Sequence, residues 1–193
     1  MNYQNYSLAQ LRQADAAHHL HPFTDHKDLR AAGSRIISRA DGPFVYDMDG
    51  NEILDGMAGL WCVNVGYGRD ELAEAAYEQM KELPYYNAFF RCSTPTPVLL
   101  AKKLAELAPD GLSQVFFGSS GSEANDTNIR MVRTYWAEKG EPERNVIIAR
   151  HNGYHGSSMG RASLGGMGGM HAQGGMPIPD IHHIDKPHWY AEG

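Results

Sequence analysis

Apolar residues recur at helical spacing in three long stretches of the chain. Leu8, Leu11, Ala14 and Ala17 follow Ser7, a good helix-capping residue, and predict a helix running toward Leu20 until Pro22 stops it. Leu72, Ala75, Ala76 and Met80 share one face of a helix predicted over 70–82. Thr94-Pro95 opens a third, which carries Val98, Leu99, Ala101, Leu104, Ala105 and Leu107. Between and beyond these lie short β-type runs at 35–40, 44–48, 114–118, 145–149 and 180–184, with further helices predicted at 122–138 and 156–164. Asp49-Gly50, flanked by Tyr46 and Ile53, is a hairpin signal. Residues 1–60 thus read as a small unit of helix and β-meander. Residues 61–193 read as helices and strands in alternation, the pattern of a parallel sheet with helices on its faces. The fold class is α/β, and 165–179, rich in glycine and methionine, reads as a mobile loop.

Composition narrows the partners. A formal net charge of −6 over 193 residues disfavours nucleic acid and anionic membrane surfaces. No apolar run reaches membrane-spanning length, and the polar start Met1-Asn2-Tyr3-Gln4-Asn5 lacks the build of a signal peptide, so a cytoplasmic protein is expected. Cys62 and Cys92 stand in no metal-like spacing and read as free thiols. His18, His19, His21, His182, His183 and His188 invite a metal, yet none is backed by suitably spaced carboxylates or cysteines. No metal is expected.

The chemistry concentrates at Val115-Phe116-Phe117-Gly118-Ser119-Ser120-Gly121-Ser122-Glu123, where a β-type run enters small residues that open into a helix. Unpaired amides at a helix start, its dipole and serine hydroxyls together grip a phosphate, and glycine lets the backbone approach closely. A plain turn needs fewer small residues than the five from Gly118 to Ser122, so a ligand is favoured. Neither G-x-x-x-x-G-K-[ST] nor G-x-G-x-x-G occurs, which demotes a nucleotide site. Arg150-His151-Asn152-Gly153-Tyr154-His155-Gly156 follows the strand at 145–149, at the sheet edge where α/β proteins bind ligands. Tyr154 could stack on a flat heterocycle there, or Tyr154 and His155 could be ordinary loop-packing residues. Gly156-Ser157-Ser158-Met159-Gly160 matches the nucleophile elbow, but the strand ends near 150, eight residues before Ser158, so a serine hydrolase is a weak alternative. Trp61, Tyr85, Tyr86, Phe89 and Phe90 fit either a core or an apolar pocket wall.

Ser120-Gly121-Ser122-Glu123-Ala124-Asn125 and Gly153-Tyr154-His155-Gly156, preceded by His21-Pro22-Phe23-Thr24 and Asp55-Gly56-Met57-Ala58-Gly59-Leu60-Trp61, resemble the class III aminotransferases, and among them the ω-transaminases that take pyruvate as amino acceptor. The resemblance runs through essentially the whole chain. It implies a fold type I (aspartate-aminotransferase-like) transferase using pyridoxal 5'-phosphate (PLP), an amine donor and a keto acid as substrates, and a homodimer or higher homo-oligomer. By position, Ser120, Gly121, Ser122, Tyr154 and His155 would bind the cofactor, Gly121 and Ser122 at its phosphate and Tyr154 on its ring. Leu60, Trp61, Phe23 and Phe89, the last across a dimer interface, would form the substrate pocket. The family's Schiff-base lysine lies downstream, so no catalytic residue is expected within these residues. Of the lysines present only Lys186 falls near that end, and Asp185-Lys186-Pro187-His188 matches no family lysine motif. The chain therefore resembles an N-terminal portion, expected to be inactive by itself. The alternative from another class is a non-catalytic phosphate-ligand or subunit-interaction fragment.

Overall fold

The computed structural model describes residues 2–192, and the side chains of 2–190. The chain forms two compact units, one running to Cys92 and one from Ser93.

In the first unit α1 spans Leu8–His18. Ser7 Oγ accepts from the Gln10 amide at 3.2 Å while Gln10 Oε1 accepts from the Ser7 amide at 2.8 Å, a reciprocal cap that fixes the start. The helix stops before Leu20 because Asp15 turns its carboxylate onto the chain beyond: it pairs with His19 Nδ1 at 3.0 Å and His21 Nε2 at 2.9 Å. Those bonds pin His21-Pro22-Phe23-Thr24 to the end of α1. A helix absent from the sequence-based expectation, α2 (His26–Ala32), follows. It is too short to show an apolar period; its signals are Asp25, which caps the amides of Lys27 and Asp28, and Gly33 at φ +75°.

Strands β1 (Ile37–Asp41), β2 (Phe44–Asp47) and β3 (Glu52–Leu54) form the expected antiparallel meander, with Phe44 opposite both Asp41 and Leu54. The β2–β3 turn contains Gly50 at φ +92° and closes on the buried Asp47 carboxylate, which accepts from the Asn51 amide at 2.9 Å and from its side chain. Asn51 holds that carboxyl below the usual range. A short, kinked helix, α3 (Ala58–Trp61), leads to α4 (Asp70–Glu82), which covers the predicted range. Neither contains a buried residue.

The second unit opens with α5 (Pro95–Leu107), also where expected, although Thr94 makes no side-chain cap bond. The predicted strand at 114–118 is not a strand: the segment pairs with no neighbour among the described residues. A β-type run becomes a strand only when another backbone completes its ladder. Helix α6 (Gly121–Glu138) follows, and β4 (Ile147–Arg150) pairs in parallel with β5 (Ile181–Ile184), Ile147 opposite Ile181. The crossover holds α7 (Met159–Leu164) and α8 (Gly168–His171), so the stretch predicted as one loop carries a helix of its own. A last turn, α9, covers Trp189–Glu192.

Among the described residues the buried apolar ones are Ala149, Ala162, Met170 and Ile181, from β4, α7, α8 and β5. Ser163 sits among these elements with no exposure; its Oγ donates to the Met159 carbonyl at 2.7 Å and accepts from the Ile178 amide at 3.0 Å. Among the described residues both cysteines are free, and no helix is long and apolar enough to cross a membrane.

Candidate functional site

The start of α6 is built by its own cap. Ser120, in extended backbone, accepts from the Glu123 amide at 3.1 Å, and its carbonyl takes the Ala124 amide. The Glu123 carboxylate folds back onto the Ser119 amide at 2.6 Å. These bonds use the amides of 119, 123 and 124 and leave those of Gly121 and Ser122 at the mouth of an 18-residue helix. A cleft of about 500 Å³ runs alongside, lined by Ser122, Glu123, Asp126, Thr127, Arg130 and Ser158.

The loop after β4 is pressed onto this mouth. Gly156 has φ +120°, and a β-carbon there would collide with Ser122 Oγ. Gly156 must therefore be glycine for two reasons, conformation and clearance. Further along, Gly166 lets α7 return over the strand exit: a β-carbon at 166 would run into the backbone of 150–152, and Gly166 exchanges hydrogen bonds with Asn152 and Gly153. Just before Gly156 in the same loop, Tyr154 is 55 % exposed, while His155 is half-buried with its ring turned back toward Gly153.

Sequence reasoning passed over one residue here. Arg161, on α7, is only 6 % exposed, and its Nε and Nη1 have no hydrogen-bond partner among the described residues. A β-carbon on Gly121 would lie 3.2 Å from Nη1. The signal was available: Arg161 is the one charged residue in Gly160-Arg161-Ala162-Ser163-Leu164-Gly165-Gly166, where small neighbours foretell close packing.

Ser158 caps no helix amide; its Oγ donates to Asp126 Oδ2 at 2.5 Å, and no histidine bonds it among the described residues. A serine tied to a carboxylate with no base beside it is a poor nucleophile, which counts against the hydrolase alternative. His171 and His183 instead bond the carbonyls of Ala162 and Leu164, and His183 stacks on His151 with ring centroids 5.5 Å apart.

The other candidate residues belong to the first unit. Phe23, Leu60 and Trp61 have φ of +50°, +63° and +65°, and each is exposed, as is Phe89. Non-glycine residues held at positive φ store strain and cluster at functional sites. One carboxylate holds the turn before Trp61: Asp55 Oδ2 accepts from the Gly59 amide at 2.7 Å and from Tyr67 Oη at 2.8 Å, and Oδ1 from the Met57 amide at 3.2 Å. The Tyr67 hydroxyl, followed by the Gly59 amide, pulls the Asp55 carboxyl below its ordinary range, and Asp55 in turn pushes the Tyr67 phenol up.

The family model described as aminotransferase class-III matches residues 28–192. The chain belongs to the class-III aminotransferases. It is 60 % identical over 176 residues to a putrescine–pyruvate aminotransferase of Pseudomonas aeruginosa, covering 91 % of this chain and 39 % of that protein. Among solved structures, an (S)-enantioselective ω-transaminase from Thermomicrobium roseum superposes with a TM-score of 0.93 at 43 % identity, over 97 % of this chain and 42 % of that one. The ω-transaminase from Pseudomonas jessenii in complex with PMP gives 0.91 at 39 % identity, over 93 % and 40 %. The chain therefore spans about two-fifths of the length of these relatives. Its fold is that of the type I PLP-dependent transferases, and the family's cofactor is PLP. The class-III chain fits that group at its phosphate end: two open amides, a helix dipole, two glycines whose β-carbons would fill the space and a buried guanidinium with unused donors.

Proposed function

We propose that the protein carrying this chain is a PLP-dependent ω-aminotransferase. It moves an amino group from an amine or ω-amino acid to a keto acid such as pyruvate, and works as a cytoplasmic homodimer. The observation that supports the proposal is the close approach of Gly156 to Ser122, which brings the loop that carries Tyr154 and His155 to an open helix mouth. The Gly121 and Ser122 amides donate to the phosphate and the α6 dipole favours its charge. Ser120 holds the first turn of α6 in shape for them. Tyr154 offers a ring face on which a flat heterocycle stacks, and His155 flanks it. Once held, the cofactor supplies an electron-withdrawing ring that accommodates the charge left when the amine's carbon gives up its proton.

Phe23, Leu60, Trp61 and Phe89 are proposed as apolar walls of the amine-binding pocket, where they exclude water and favour hydrophobic donors. The exposed apolar faces of α4 and α5, with Leu72, Met80, Val98 and Leu99, suit burial against further polypeptide or a second subunit. Residues 1–193 alone are proposed to turn over no amine, because no lysine among them stands in a family lysine motif.

The test replaces Gly121 and Ser122 together by aspartate in the full-length protein. Cofactor retained after desalting should fall to background, since two carboxylates would repel the phosphate and fill its space. Unchanged retention of PLP would refute the assignment of the α6 mouth.

A further inference from the structure

A buried guanidinium with open donors asks for an anion. Taking a charge out of water is costly unless it is paired and hydrogen-bonded, and arginine rarely escapes by losing its proton. Burial does pull the Arg161 proton affinity down, while the Asp126 carboxylate pushes it back up. Asp126 does not satisfy the group: it accepts from Ser158 and forms no ion pair with Arg161 among the described residues. Meanwhile the guanidinium lies against the positive end of α6. A β-carbon on Gly121 would sit 3.2 Å from Nη1, and one on Gly156 would sit 3.0 Å from Nε and 3.1 Å from Cζ. Two positive features facing one another across a glycine-cleared space repel until a negative group lies between them.

We propose that Arg161 is a direct ligand of the phosphate seated at the α6 mouth, adding its Nε and Nη1 donors to the amides of Gly121 and Ser122. The proposal rests on the cofactor assignment made above and goes beyond it by giving the phosphate a charged side-chain partner on α7. A dianion would be held there by charge-assisted hydrogen bonds from a guanidinium as well as by the amides.

The test compares the full-length wild type with Arg161→Met and Arg161→Gln, each prepared free of cofactor, using PLP, pyridoxal without phosphate, and inorganic phosphate as probes. Both variants should melt no lower than the wild type when free of ligand, because they remove an unpaired buried charge. Their affinity for PLP should drop about tenfold to a hundredfold, as expected for losing hydrogen bonds from a charged donor, with pyridoxal binding unchanged. Inorganic phosphate should raise the melting temperature of the wild type and leave that of the variants in place. Wild-type affinity for PLP in the variants would overturn the role of Arg161 while leaving the cofactor assignment intact. Should the wild type itself take up no PLP, the cofactor assignment fails and the phosphate arm decides alone: stabilisation that depends on Arg161 supports the anion site, and equal or absent stabilisation sinks it. If neither substitution folds, Arg161→Lys gives the same readout, with PLP affinity expected to fall and pyridoxal affinity to hold.

Discussion

The loop that follows β4, with residues proposed to bind the cofactor, and the turn that follows β3, with residues proposed to bind the amine, are built on opposite plans. Around 150–166 glycines remove side chains so that backbones can touch, and Ala149, Ala162, Met170 and Ile181 pack beneath them. Around 55–61 bulky residues occupy positive φ, one carboxylate holds the turn, and Trp61 stays 75 % exposed. The first arrangement is completed by its own neighbours in the chain. The second presents large apolar side chains without covering them. Rigidity thus comes from close packing in one region and from hydrogen bonds to a single charged group in the other.

The largest test of that contrast is Gly156→Val. A side chain there meets Ser122 and sits at a φ that L-residues avoid, at a combined cost of about 2–5 kcal/mol. Chemical denaturation should show the loss together with failure to retain PLP; a wild-type midpoint would mean that packing at 156 is looser than described. Next is Ser163→Ala, which leaves the Ile178 amide unpaired beneath the same loop and should cost about 1–3 kcal/mol in denaturant titrations. In the other region, Asp55→Asn should speed amide exchange at Gly59 roughly tenfold, because the charged acceptor is what orders the turn. Global stability should barely move, and an unchanged exchange rate would remove Asp55 from that role.

The same pair sets a pH window. Asp55 has a folded pKa below its unfolded one, so its contribution is full above the unfolded carboxyl value and is lost as pH falls through the lowered folded one. Tyr67 is shifted upward, so its contribution is present below the unfolded phenol value and disappears as pH rises through the raised one. Protection of the Gly59 amide, corrected for intrinsic exchange, should therefore decline at both extremes, and Asp55→Asn should abolish the acid limb. The smallest effect is expected at Ser7→Ala, where losing the reciprocal cap of α1 costs about 0.5–1 kcal/mol in a thermal melt, with no change in cofactor retention.

Which features were legible follows from how far their causes extend. The boundaries of α4 and α5 stand where apolar spacing and Thr94-Pro95 put them, since helical hydrogen bonds close within four residues. The meander and its Asp49-Gly50 turn were legible for the same reason, being local. Helix α2 was missed because seven residues hold too little period, and 114–118 was misjudged because strandness belongs to a pair of segments. The small-residue run 118–122 suggested the phosphate grip proposed here, but nothing local tells Arg161 that it will lie against Gly121. These residues are forty positions apart in the numbering, and only the fold of α7 over the β4 exit joins them.

By themselves, the residue types and their order determined the family, the cofactor class and the places where α1, α4 and α5 begin, because each depends on short motifs or on bonds made within a turn or two. The tertiary structure alone decided that Gly156 rests on Ser122 and that a guanidinium is buried at the head of α6, with its Nε and Nη1 unbonded among the described residues. Close approach and loss of solvent are properties of segments brought together from afar, and an unpaired charge acquires meaning only once water has been taken from it.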